Sequence, residues 1–122
     1  DPARHEFVNF DVDAVRTRLD EFCELVRSVN PSVRILLTVS PVPLVATFED
    51  RHVLVSTTYS KSVLRVAAEA ATQRHDFVDY FPSYEIIASA TSPTNYYGDD
   101  LREVDPVGVA HVMRCFTRHY DY

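Results

Sequence analysis

The sequence predicts an α/β fold organised on a parallel sheet, and three observations carry that expectation. The run Val33–Val39 is almost entirely apolar at its centre, Thr38 excepted, which is how a strand covered on both faces reads. Pro31 and Pro41 bracket it, so no helix can pass through. Helical patterns stand on either side, and a second short strand pattern, Phe77–Phe81, follows the second of them. One helix crossing between two strands gives a right-handed parallel pair. In an open sheet of this kind ligands bind beyond the carboxyl ends of the strands, so Ser40–Pro43 is the first place to look for function.

Each element follows from its residues. Residues 1 to 10 read as an arm with Phe7, Val8 and Phe10 as packing anchors and room for a short strand. In the first helix Val12, Val15, Leu19, Phe22, Val26 and Val29 recur at steps of three and four. Asp11 is its cap and Asn30-Pro31 its end. Its charged residues form a solvated face. After the central strand, Ser40–Ser56 reads as a long connection, and long loops in compact domains often carry function.

The second helix is expected from about Thr58 to Arg74, with Tyr59, Val63, Val66, Ala67 and Ala70 as its stripe. Thr57, Thr58, Ser60 and Lys61 then crowd its amino end. There, free N–H groups and Lys61 could hold an anion, or simply cap the helix. The second strand ends at Pro82; Ser83–Ile87 and a loop of small and turn residues, Ala88–Gly98, come next. Asp105-Pro106 marks the start of a last helix with Val109, Val112, Met113 and Phe116 on its core side and a frayed tail from Arg118.

The totals narrow the class. The chain has the length of one domain, a formal net charge of −6 and no basic cluster, so nucleic acid is not an expected partner. No apolar run is long enough for a membrane span, and the first residues carry no signal-peptide pattern. Cys23 and Cys115 lie far apart without a CxxC and read as two free, partly buried thiols, compatible with a reducing compartment; the cytoplasm is the expected location. No cofactor is called for. His111, Cys115 and His119 recur at steps of four but lack a further ligand, so no metal site is expected.

Hydrolysis through Ser or Cys needs a nucleophile, a base and an oxyanion site. There is no GxSxG; Ser40 ends a strand but precedes a proline, where a serine commonly starts a turn. Asp99-Asp100-Leu101-Arg102-Glu103 gathers acids before the last helix, where they either suit the helix dipole or serve a base. His52 lies on the expected crevice side of the long connection. Glu85, in an apolar neighbourhood, is either a hydrogen-bond anchor or a site residue. Two strands and three helices leave a doubly covered strand short of neighbours, which predicts that part of the domain lies outside these residues.

Phe7-Val8-Asn9-Phe10, Arg34 through Leu44, Thr58 through Arg65, Tyr80 through Ile86 and Asp100 through Met113 resemble successive blocks of the GSCFA-domain family, in order and over essentially the whole chain. That family is similar to SGNH/GDSL-type hydrolases, which implies a three-layer α/β/α fold, a bacterial source, and esterase or acyltransferase chemistry on an oxygen ester such as that of a carbohydrate. The resemblance makes residues 1–122 the carboxyl-terminal portion of one such domain, with the nucleophile block upstream and the chain inactive alone. Asp100 matches the family's acid, whereas Glu103 stands where a His is expected, so Glu103 or His52 takes the base role or the chemistry is lost. Ser40, Ser60, Lys61, Tyr84 and Glu85 are assigned to the substrate crevice. The alternative is a non-catalytic module of the same fold that binds carbohydrate or a partner; a third reading is an interaction piece completed by another chain, and self-association or completion by the missing part of the domain is expected.

Overall fold

In the computed structural model, which describes residues 5–90 and 94–120, six elements follow in order. They are α1 (Val12–Val29), β1 (Ile35–Leu37), α2 (Val53–Arg74), β2 (Val78–Tyr80), α3 (Ser83–Ala88) and α4 (Pro106–Tyr120). The fold is mixed α/β, with α2 crossing between two parallel strands.

α1 starts where the Asp11 carboxylate accepts the Ala14 N–H at 2.8 Å and stops where Asn30 caps it, its N–H donating to the Val26 carbonyl. Asn30 Oδ1 then takes the Ser32 N–H and hydroxyl, which turns the chain toward β1. The strands pair in the register Ile35↔Val78, Leu36↔Asp79 and Leu37↔Tyr80, with one more backbone bond beyond each end, Ile35 N–H to Phe77 O and Phe81 N–H to Leu37 O. Against one face of this ladder pack α1 and α2. Cys23, Ala71, Phe77 and Val78 are buried there, with Leu19, Val33, Ile35 and Leu37 around them. Cys23, Ala67, Ala68 and Ala71 are small, and that lets the two helices approach.

Several expectations are corrected. The β1 ladder is shorter than Val33–Val39 and is not covered on both faces: Leu36 is 37% exposed, while Ile35 and Leu37 turn toward the helices. The opposite face carries Arg34 and Asp79, an exposed pair at 3.1 Å, and α4 reaches it at Tyr120, which shares a hollow with Leu36 and Asp79. α2 begins at Val53 because His52 is its cap, Nδ1 accepting the Leu54 N–H at 3.2 Å. Lys61 therefore lies in the third turn and not at the amino end.

The buried stripes are also rotated from those expected. Phe22 and Val29 on α1, Val66 on α2, and Val109 and Met113 on α4 are exposed, while Cys23, Ser56, Ala68, Ala71 and Gly108 are buried. Close helix contact admits small residues and excludes the large ones beside them. Ser83–Ala88 forms a helix that the sequence pattern does not predict, its Ile86 N–H bonded to the Pro82 carbonyl. α4 stays helical to Tyr120, because Phe116 and Tyr120 pack edge-on against Phe81 at ring separations of 5.4 and 6.1 Å. Residues 5–10 form no strand; Phe7 stacks near Phe48 and Asn9 donates to Glu49. Residues 1–4 of that arm and the end of the tail at 121–122 lie outside the described residues. Among those described, no helix is long and apolar enough to cross a membrane.

Candidate functional site

The loop leaving β1 cannot hold itself by a backbone ladder, since Pro41 and Pro43 lack N–H groups. Side chains pin it instead. Ser40 Oγ accepts the Val42 N–H at 3.2 Å, Thr57 Oγ1 on α2 accepts the Leu44 N–H at 2.9 Å, and the Tyr97 hydroxyl donates to the Pro41 carbonyl at 2.9 Å. At its root the Thr38 hydroxyl donates to Phe81 O at 2.8 Å, and the Ser83 hydroxyl donates to Val39 O at 3.1 Å. The carboxyl ends of the two strands are thereby bound to one another. Ser40 starts a turn, the behaviour expected of a serine before proline.

Farther along, the loop closes on a polar knot. Glu49 receives Arg51 Nη2 on both oxygens at 2.7 and 2.8 Å and Arg51 Nε at 3.1 Å, the Ser56 hydroxyl at 2.8 Å and Asn9 at 3.2 Å, and these donors hold its carboxyl below the usual range. Ser56 is fully buried in α2, so this hydroxyl is satisfied by an acid and an Arg rather than wasted. Ser60 is half-buried beneath the arm and lines a hollow with Phe7, Asn9, Leu44, Phe48 and Glu49. Lys61 is half-buried too, and burial pushes its ammonium below its ordinary value.

A second knot lies where α2, β2 and α3 meet. Glu85 accepts Arg65 Nε at 2.8 Å and the Tyr80 hydroxyl at 2.9 Å, while the Arg65 guanidinium lies 4.2 Å from the centre of the Tyr80 ring and also pairs with Glu69. Burial, then the Glu85 hydrogen bond, pushes the Tyr80 phenol up to about 12. Glu85 is thus a hydrogen-bond anchor between elements. Tyr84, next to it on α3, is half-buried and lies close enough to Tyr97 to push that phenol upward, behind the larger effect of burial.

The loop before α4 is a narrow hairpin-like arm. Tyr97 and Val104 form an antiparallel bridge, Asp105 N–H donates to Tyr96 O at 2.7 Å and Gly98 N–H to Glu103 O at 2.9 Å. Its tip turns through Leu101, whose φ of 54° is left-handed and uncommon outside glycine. Asp100 Oδ1 accepts the N–H groups of Arg102 and Glu103, both at 2.9 Å, and these two donors hold its carboxyl below the ordinary value. The Glu103 side chain is exposed, and Asp105 receives the Val107 N–H at 2.8 Å, as the Asp105-Pro106 helix start predicts. Tyr96 anchors the arm from below: it is buried against Gly108, where an added Cβ would come within 2.9 Å of its own Cβ, and its hydroxyl meets His111 Nδ1 at 2.6 Å.

The structure therefore joins the Ser40–Pro43 loop to the arm carrying Asp100 and Glu103, and joins Glu85 to Tyr80 and Arg65. Among the described residues no hydrogen bond links His52 to Asp100 or Glu103; His52 is spent on its helix cap. Sequence reasoning missed Tyr96, Tyr97 and Gly108, and the Glu49–Arg51–Ser56 knot. Signals existed for both: a Tyr-Tyr-Gly run ahead of an acidic turn, and an isolated charged stretch, Glu49-Asp50-Arg51, inside an otherwise apolar loop. What the arrangement offers chemically is an ionised, exposed carboxylate on a fixed turn, carried by an arm whose base is bonded to the loop at the carboxyl end of a parallel strand.

No curated protein and no solved structure matches this chain. A sequence profile of the GSCFA family does match it, over residues 1–116, and with nearly the full length covered the chain belongs to the GSCFA family.

Proposed function

We propose that this chain is the carboxyl-terminal portion of a single three-layer α/β/α, SGNH-like domain that hydrolyses or transfers the acyl group of an oxygen ester, such as one on a carbohydrate. The observation that carries this reading is the bond from Tyr97 to Pro41, which sets the Asp100 arm beside the loop leaving β1. Crevices of parallel sheets open at that end. In this reading Asp100 stays ionised and orients or assists a base, a role filled by Glu103 three residues on or by His52 after release from its cap. Ser40, Ser60, Lys61 and Tyr84 line the substrate side, and Glu85 keeps Tyr80 and Arg65 in place. The nucleophile comes from a portion of the domain outside residues 1–122. The exposed Leu36 face and the open edges of a two-stranded ladder support additional strands and helices there. Two unpaired thiols fit a cytoplasmic protein.

The experiment is aryl-ester turnover by the full-length protein. Turnover is expected, and Asp100→Asn is expected to abolish most of it without loss of folded protein; equal activity in that variant overturns the role of Asp100. Residues 1–122 alone should be inactive, and Asp100-dependent turnover by that chain would overturn the placement of the nucleophile elsewhere. A second reading, a binding module without chemistry, is favoured by one observation: an exposed Glu103 stands where the resemblance calls for His. Saturable carbohydrate binding with no turnover in the full-length protein would select it. Light scattering on residues 1–122 probes the open sheet edge, where association is expected and a clean monomer at high concentration counts against incomplete layering.

A further inference from the structure

We infer that the Tyr97 hydroxyl is a positioning latch: it fixes the arm that carries Asp100 onto the loop leaving β1, and so sets where that carboxylate stands. The role assigned to Asp100 rests on the reading above, but the latch itself rests on geometry. Consecutive tyrosines hold the arm from two sides. Tyr96 is buried 6% exposed against Gly108 and Ile87 and is hydrogen-bonded to His111, which fastens the arm to α4. Tyr97, one residue on and therefore facing the other way in an extended bridge, reaches across 56 positions of sequence to the Pro41 carbonyl.

Of the two fastenings only the second ties the arm to the crevice loop. That loop depends on it, because Pro41 and Pro43 remove two of its donors and its remaining restraints come from Ser40 and Thr57. The Tyr97 hydroxyl is half-buried, so its removal leaves the Pro41 carbonyl short of a partner in a partly desolvated place. The turn above it is built to transmit position. Asp100 Oδ1 is bonded to the amides of Arg102 and Glu103, the Gly98 amide to Glu103 O, and the Leu101 amide to Gly98 O. With its turn internally bonded, the tip moves as a unit when the base of the arm swings. The latch thus governs the placement of Asp100 without touching it.

Tyr97→Phe removes the hydroxyl and keeps the ring, and hydrogen exchange in the full-length protein reads the result directly. Peptides covering 98–105 and 40–44 are expected to exchange about tenfold faster, the scale of one hydrogen bond, while peptides from α1 and α2 stay unchanged. Unchanged exchange in both loops overturns the latch, and so does a uniform loosening of the whole protein, which would mark Tyr97 as part of general stability. The aryl-ester assay is the second readout: kcat is expected to fall about tenfold with KM held. Loosened loops with unaltered kcat would overturn the positioning role. Should the wild-type protein turn over no ester, the hydrolytic reading fails by itself, and the exchange comparison still decides whether Tyr97 holds the two loops together.

Discussion

The two ends of the strand pair are held by opposite means. On the helix face, α1, α2, β1 and β2 meet through Cys23, Ala71, Phe77 and Val78, an apolar contact with no hydrogen-bonding geometry to respect. At the carboxyl end, the loop 38–52 and the arm 94–105 have little apolar contact to share and are held by single directed bonds from Ser40, Thr57, Ser83, Arg51 and Tyr97. Burial is strong, additive over area and tolerant of small shifts. A hydrogen bond adds little net stability but fixes direction. The first region therefore sets whether the chain folds, and the second sets where its acids stand.

The sharpest way to break this contrast is Phe77→Ala. Phe77 is buried in the apolar contact and also lies under Arg27, with its ring 4.7 Å from that guanidinium and 5.3 Å from His75. Removing it should cost about 3–5 kcal/mol of unfolding free energy, read from urea denaturation. Tyr97→Phe should cost no more than about 1 kcal/mol on the same scale. Equal losses would mean that the two regions are not held differently.

Gly108→Ala probes the seam where they touch. A helix interior ordinarily gains about 1 kcal/mol from this exchange. Here the new methyl would come within 2.9 Å of the Tyr96 Cβ and 3.1 Å of Ile87 Cδ1. Overpacking against a backbone-proximal atom typically costs about 1–3 kcal/mol, so the net effect is a lower urea midpoint together with faster exchange in 98–105. A higher midpoint would show that Tyr96 moves aside freely and does not anchor the arm.

The same contrast explains what could be read from the sequence. The first helix was legible to the residue, because Asp11 and Asn30-Pro31 are caps whose chemistry is local. The parallel pair was legible because Pro31, Pro41 and Pro82 confine both strand patterns. The rotation of the buried stripes was not. Phe22 and Val66 satisfy a periodic pattern as well as Cys23 and Ala71 do, and only the closeness of the two helices decides between them. Nor was the start of α2, since a histidine cap gives no signal that Ser, Thr, Asp or Asn would give. At the site, Asp100 and Glu103 were legible as an acidic turn, but Tyr97 meets its partner across 56 positions, a distance no local rule spans.

The smallest expected effect lies in the strap between the regions, Arg65–Glu85–Tyr80. Its charged members are about a third exposed, so Glu85→Gln should lower stability by no more than about 1 kcal/mol, less in high salt. The clearer readout is alkaline titration. The Tyr80 phenol is raised to about 12 by burial first and by the Glu85 carboxylate second, against about 10 for an unfolded tyrosine. A raised value means that the folded state holds the proton more tightly. The stability this contributes is complete below pH 10 and is lost as the pH climbs from about 10 to about 12. Absorbance of ionised tyrosine, followed with the melting temperature across that window, should show a late-titrating class of phenols to which Tyr97 also belongs, and the Tyr80 ionisation should coincide with the loss of stability. In Glu85→Gln Tyr80 should titrate earlier, yet not fully at 10, because burial remains when the carboxylate is gone. A Tyr80 that ionises with the exposed tyrosines would mean the strap is open in solution, and the helix face and the crevice would then be joined by the strands alone.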